Sequence, residues 1–217
     1  MSFKPRLDIL PAAQRRLWPE LAAIPRRYVL YGGTAIALRV AHRVSVDFDL
    51  FAHDPLDHAE LERLPFLDGA ETVQEGENER TVLVHRADET VKVSFFGSIQ
   101  FGRVGTPEPT DDEVLRVSSL RDLGGTKIKA LLQRVHTKDY LDVVALLDAG
   151  ISLVEIFGAA STLFGPAFNH IVAQKALTYF EDRRLATLDE KTRDRLIREA
   201  GHDLFVEPLP RRSPRLD

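Results

Sequence analysis

Asp47 and Asp49, separated by Phe48, are the residues whose types and spacing speak most directly to chemistry. In an extended segment alternate side chains share a face, so Val46, Phe48 and Leu50 point one way and Asp47 and Asp49 the other. Two carboxylates on one face can hold Mg²⁺, or Mn²⁺, through hard oxygen ligands while leaving positions for phosphate oxygens and water. A metal held in that way neutralises the charge that develops when a phosphoryl group is transferred. Upstream, Gly32-Gly33-Thr34 ends the apolar stretch Tyr28 to Tyr31 and opens a dense run of small and apolar residues to His42. Glycines at a strand-to-helix turn let backbone approach a phosphate closely. The helix start then supplies N–H groups, with the Thr34 hydroxyl as a further donor. Strand, glycine turn, helix and Asp-bearing strand are the order of parts that metal-dependent nucleotidyl transfer requires.

A second set of charged residues lies far downstream. Lys127 and Arg134 are one heptad apart and share a helix face, while Ile128, Leu131, Leu132 and Val135 supply the apolar face. A pair of cations facing a cleft suits phosphate. Asp139 and Asp142 share a face of the next helix, where they could orient Lys127 or Arg134, or assist deprotonation of an acceptor hydroxyl. The plainer alternative is a helix hairpin with surface ion pairs of little energetic value. Lys92 and Ser94 alternate on a candidate strand, and Lys92 could contact a nucleotide phosphate.

The elements that must position these residues follow from periodicity. Residues 6–25 read as two short helices interrupted by Pro11 and Pro19. Tyr28 to Tyr31 and Val46 to Phe51 read as strands, with a helix between them. A charged helix from about Asp57 to Leu64 precedes three strand candidates, Glu71 to Gln74, Arg80 to Arg86 and Thr90 to Phe96, with Ala87-Asp88-Glu89 as a hairpin connection. Gly, Pro and Thr dominate Phe101 to Asp112, which reads as a linker or long loop. Beyond it come helices over Ser118 to Val135, Lys138 to Leu147, Leu153 to Leu163, Pro166 to Tyr179 and Thr187 to Ala200, with Gly124, Gly150, Gly165 and Gly201 as breaks or boundaries. The fold class is therefore α+β. Residues 1–105 form a mixed α/β core, 106–207 a helical domain that completes the active-site cleft, and 208–217 a Pro- and Arg-rich flexible tail.

Composition sets outer bounds. The chain of 217 residues is 44% hydrophobic, enough for a substantial core. It contains no cysteine, which removes disulfides and thiolate chemistry and fits a reducing compartment. No run of 18 or more apolar residues is present and Met1 to Leu10 carries charges, so the expected setting is the cytoplasm with no membrane association. A net charge of −4 and a pI near 6.0 argue against a protein that coats nucleic acid non-specifically. The arginine pairs at 15–16, 26–27, 183–184 and 211–212 read as solvated surface.

Three segments carry a family resemblance. Gly32-Gly33-Thr34, Arg43, Ser45 and Asp47-Phe48-Asp49-Leu50-Phe51 resemble the first motif of the AbiEii/AbiGii toxin-type nucleotidyltransferases, a branch of the polymerase-β-like superfamily. Asp122 through Leu131 resembles the family's lysine-bearing helix, and Arg134 through Lys138-Asp139-Tyr140-Leu141-Asp142 its terminal Arg/Lys-Asp-aromatic-x-Asp motif. The resemblance implies a polymerase-β-like core, a mixed and mainly antiparallel sheet with flanking helices, followed by a helical C-terminal domain. It further implies transfer of a nucleoside monophosphate from an NTP to an acceptor hydroxyl, with Mg²⁺. Asp47 and Asp49 would be the metal ligands and, with Lys127 and Asp139, the catalytic residues. Gly32, Gly33, Thr34, Arg43, Ser45, Lys92, Arg134 and Asp142 would bind nucleotide. The resemblance points to a tRNA end as acceptor and to a toxin–antitoxin or phage-defence setting with an antitoxin partner. A small-molecule, antibiotic-like acceptor is the alternative. Many members of the superfamily carry a third carboxylate where this chain has Ser94, so a catalytically impaired nucleotide-binding or interaction protein is a further reading.

Overall fold

The computed structural model describes residues 2–86 and 89–217. The expected hairpin connection at Ala87 and Asp88 lies outside them. Along the chain the elements are α1 (Ala12–Leu17), β1 (Val29–Tyr31), α2 (Gly32–Val40), β2 (Asp47–Phe51), α3 (His58–Leu61), β3 (Glu71–Gly76), β4 (Glu79–Arg86), β5 (Glu89–Phe96), β6 (Glu108–Pro109) and β7 (Arg116–Val117). The helices α4 (Leu120–Gln133), α5 (Thr137–Asp148), α6 (Leu153–Phe164), α7 (His170–Thr178) and α8 (Glu190–Ala200) follow. The chain forms two compact units: Met1–Gly102 with Thr106–Ser119 and Ser213–Asp217, and Arg103–Gly105 with Leu120–Arg212.

In the first unit the described residues form one sheet in the order β3-β4-β5-β2-β1-β7-β6. β2 runs parallel to β5 and β1 parallel to β7, and the other four pairings are antiparallel. The expected mixed, mainly antiparallel sheet is therefore observed. One face is apolar: Leu30, Phe48, Leu50, Val82, Val84, Val91, Val93 and Phe95 are buried, and Trp18 packs on Phe48 with ring centroids 6.2 Å apart. Burial of a side chain of this kind is worth about 1.5–3 kcal/mol. That face gives the unit its core and leaves the opposite face of β2 and β5 to Asp47, Asp49, Lys92 and Ser94, with Phe51 and Phe96 at its far end.

Three sequence expectations are corrected here. First, Phe101 to Asp112 is not a linker. β6 and β7 pair with each other, and β7 joins β1 through Val29↔Arg116 and Leu30↔Val117, so the unit boundary falls at residues 119–120 instead of 105–106. Pro109 is tolerated because β6 is an edge strand. Second, the terminal segment is held in place. Leu209 N donates to Gly158 O at 3.1 Å, Leu216 is fully buried, and Arg215 clamps both Asp54 oxygens at 3.0 and 2.8 Å. The Arg215 guanidinium holds the Asp54 carboxyl below the usual carboxylate range. Third, Val46 is half exposed and precedes β2 instead of sharing its buried face.

The second unit is helical, as expected, with α4 packed on α5, α6 and α7. Ser152 and Glu155 close a capping box at the start of α6. Gly124, expected as a break or boundary, lies inside α4 together with Gly125, and both face α6. A methyl group on Gly125 would stand 3.0 Å from Ala160 N and from Leu163 Cδ1, and one on Gly124 2.9 Å from Ile156 Cγ1. The two helices cross where neither glycine has a side chain. Among the described residues no single helix is long and apolar enough to cross a membrane. Gly125→Val is expected to force α4 from α6 and to cost about 1–3 kcal/mol of stability, read as a lower urea midpoint at unchanged slope.

Candidate active site

β1 ends at Tyr31 and the chain turns directly into α2 at Gly32, whose φ is 77°. That left-handed conformation is one that glycine adopts without a Cβ penalty. A second constraint acts at the same residue: a methyl group there would overlap Asp49 Oδ2 and lie 3.2 Å from Asp49 Cγ. The Asp49 carboxylate thus sits directly against the turn. Gly33 is constrained in the same way, since a methyl group would be 2.5 Å from Arg43 Nη2 and 2.9 Å from Ser45 Oγ. The structure therefore brings together Gly32, Gly33, Arg43, Ser45 and Asp49, which the sequence had grouped as one motif by resemblance. Thr34 departs from expectation. It is fully buried and its hydroxyl donates to the Asp47 carbonyl at 2.5 Å, so the side chain ties α2 to β2 and its proton is not available to a ligand.

The burial of β2 alternates as the sequence predicts, with Phe48 and Leu50 buried and Asp47, Asp49 and Phe51 partly exposed. The parallel register with β5 sets Asp47 beside Lys92 and Asp49 beside Ser94. Lys92 Nζ lies 3.2 Å from Asp47 Oδ2, and the two side chains are 43% and 37% exposed. Ser94 is buried, and its hydroxyl accepts a hydrogen bond from Thr81 Oγ1 at 3.0 Å. Sequence reasoning missed Thr81. The hairpin register Thr81↔Ser94 was the signal available for it. Among the described residues no group of three or more His, Cys, Asp or Glu side chains forms a metal cluster. Asp47 and Asp49 nevertheless suit a hard divalent cation, since they offer partly exposed oxygen ligands on one face and leave the remaining positions to water and phosphate.

The helical unit holds the other predicted residues. Lys127 Nζ lies 3.0 Å from Asp139 Oδ1 and 2.8 Å from Asp142 Oδ2, with the lysine side chain 9% exposed and the aspartates 2% and 0%. Arg134 is largely exposed and reaches back to Asp139 Oδ2 at 3.1 Å. A carboxylate that accepts from both an ammonium and a guanidinium is poorly placed to act as a base. Positioning Lys127 is the role this geometry gives Asp139. A further residue that the sequence reading had not singled out is Asp122, whose buried carboxylate accepts from Val104 N at 2.7 Å and Gly105 N at 2.9 Å and so anchors the start of α4. No spacing rule announces a partner so far along the chain.

Replacing Lys127 with Met strands two buried carboxylates. The expected result is a loss of about 3–5 kcal/mol in chemical denaturation, whereas the exposed Arg134→Met should cost less than about 1 kcal/mol. Equal costs for the two would count against a buried ion-pair core.

Residues 19–215 match the family model described as nucleotidyl transferase AbiEii toxin, type IV TA system. The uncharacterized protein aq_aa25 of Aquifex aeolicus (strain VF5) is 29% identical over 160 residues, covering 72% of this chain and 75% of the relative. A crystal structure of a candidate nucleotidyltransferase from H. pylori superposes with a TM-score of 0.49 at 16% identity, covering 86% of this chain and 89% of the other. With its family model spanning nearly the whole sequence, the chain belongs to the AbiEii nucleotidyltransferase toxin family.

Proposed function

We propose that this nucleotidyltransferase moves a nucleoside monophosphate from an NTP to the terminal hydroxyl of a tRNA, with Mg²⁺ or Mn²⁺ held by Asp47 and Asp49. The observation that supports this reading is the contact of the Asp49 carboxylate with the Gly32 turn, from which a cation held by Asp49 would lie beside the start of α2. The acceptor oxygen bonds to the α-phosphorus, the bond to the β-phosphate oxygen breaks, pyrophosphate leaves, and the hydroxyl proton passes to solvent. Gly32 and Gly33 make room for the Asp49 carboxylate and the Arg43 guanidinium, and Arg43, which lies over Gly33, would neutralise a phosphate oxygen. The cation supplies charge stabilisation to the phosphate oxygens. Lys127 spends two of its three N–H groups on Asp139 and Asp142, which fixes the direction of its ammonium within the helical unit. The family description, a toxin of a type IV toxin–antitoxin system, supports an antitoxin partner and a cytoplasmic setting where NTPs and tRNA are present.

Incubation with each α-labelled NTP, Mg²⁺ and total tRNA is expected to label the RNA. Asp49→Ala should lower the rate by at least about 100-fold, the effect of losing several kcal/mol of charge stabilisation. Label found on an added hydroxylated small molecule and absent from RNA would move the acceptor to the small-molecule class. Full activity of Asp49→Ala would overturn the metal assignment.

A further inference from the structure

The second unit leaves an apolar surface uncovered where α7 packs on α8. A cleft of about 320 Å³ opens there, lined by Ile171 and Thr178 of α7 and by Ala200, Gly201 and Asp203 at the end of α8 and beyond it. A cavity of about 150 Å³ is enough to hold a benzene ring. Ile171 is 47% exposed at the rim, and so is Ile197, against which Gly201 is packed. Phe205 follows Asp203 by two residues and is 80% exposed, so its ring does not fill the cleft beside it. Its backbone is nonetheless held on both sides: the Gln174 amide donates to Ala200 O and His202 O, and Leu209 N donates to Gly158 O at 3.1 Å. An aromatic ring left in water on an anchored segment is ready to bind at small cost in chain entropy.

The charges around this surface indicate what covers it. On α8, Asp194 and Arg198 lie one turn apart on the stripe that continues through Ile197 to Gly201. Both are exposed and neither has an ion-pair partner among the described residues, whereas Arg195 between them is held by Asp148 at 3.3 Å and Glu199 at 3.1 Å. Antiparallel crossing of two copies of this helix about a two-fold axis sets Asp194 of each copy opposite Arg198 of the other, with the two Ile197 side chains near the axis. The same axis turns one protruding ring and one neighbouring cleft into two reciprocal contacts. Lys175 on α7 and Asp203 and Glu207 flanking Phe205 are of mixed sign, which disfavours a polyanion such as RNA as the occupant. We infer that two copies of this chain associate through this surface as an isologous dimer. Phe205 of each copy enters the cleft between α7 and α8 of the other, and Asp194 pairs with Arg198 across the axis.

The test is sedimentation equilibrium of the full chain over a wide range of concentration. A monomer–dimer equilibrium with a Kd of about 1 µM to a few tens of µM is expected, as for a modest interface. Phe205→Ser should weaken it at least about tenfold, because the anchoring ring is lost. Asp194→Arg and Arg198→Asp should each weaken it about fivefold or more by setting like charges opposite one another, and the double variant should return close to the unaltered affinity. All three positions are exposed, and unchanged urea midpoints check that the variants fold. A chain that stays monomeric at every concentration, a dimer that Phe205→Ser leaves intact, or a double charge variant no tighter than either single one would each overturn the inference. The measurement uses neither nucleotide nor RNA, so its failure leaves the proposed transfer reaction standing.

Discussion

The Asp49 carboxylate occupies space that a β-carbon at residue 32 would need, and the local architecture of the first unit is arranged around that contact. Antiparallel pairing of β1 with β2 sets Tyr31 opposite Asp49, so the residue that follows Tyr31 must pass under the carboxylate. It must also leave the strand at a positive φ. Glycine is the residue that satisfies both demands without strain. The Thr34 hydroxyl then bonds to the carbonyl of Asp47, so β1, α2 and β2 are locked within a few residues of the two carboxylates. Such fixation is what a metal site needs from its protein, because ligands that wander bind weakly.

The sheet as a whole divides labour between its faces. The buried face carries aliphatic and aromatic side chains and supplies the burial energy, which frees the opposite face from any obligation to be apolar. That opposite face is itself graded. Asp47, Lys92 and Asp49 lie toward the start of β2 and β5, and further along the same strands Phe51 and Phe96 meet edge to face at 5.2 Å, with Tyr31 stacked on Phe51 at 4.9 Å. Phe101 closes the cluster against both Phe51 and Tyr31.

How much of this could be read from the sequence depends on the range of the interaction involved. The alternation of Asp47, Phe48, Asp49 and Leu50 is a local property of a strand buried on one side, and it was legible residue by residue. So was the glycine turn. β6 and β7 were not, because strands of two residues carry no period, and a proline at an edge looks the same in sequence as a proline in a loop. Gly124 read as a helix break or boundary because glycine lowers helix propensity. What overrides propensity is the approach of Ile156 and Ala160, set by a helix far along the chain. The same blindness hid the engagement of Thr34 by the Asp47 carbonyl and of Ser94 by Thr81, partners that no local pattern names. The pairing of Lys127 with Asp139 and Asp142, by contrast, was among the readings that helix spacing offered.

The two charge clusters also differ in kind, and the difference follows from exposure. Lys92 and Asp47 are both more than a third exposed, so their attraction is screened by water and is worth about 1 kcal/mol or less. An arriving divalent ion can displace such a pair at small cost. Lys127, Asp139 and Asp142 are nearly dry, and there each charge depends on the others because desolvation has removed its alternatives. A buried cluster of that sort is seldom the most stable way to fill a helical core, since apolar side chains of similar volume do as well or better. What it does confer is fixed direction, because an ammonium held by two carboxylates points its remaining N–H along one line. The exposed pair can exchange partners at small cost, whereas the buried one keeps the partners it has.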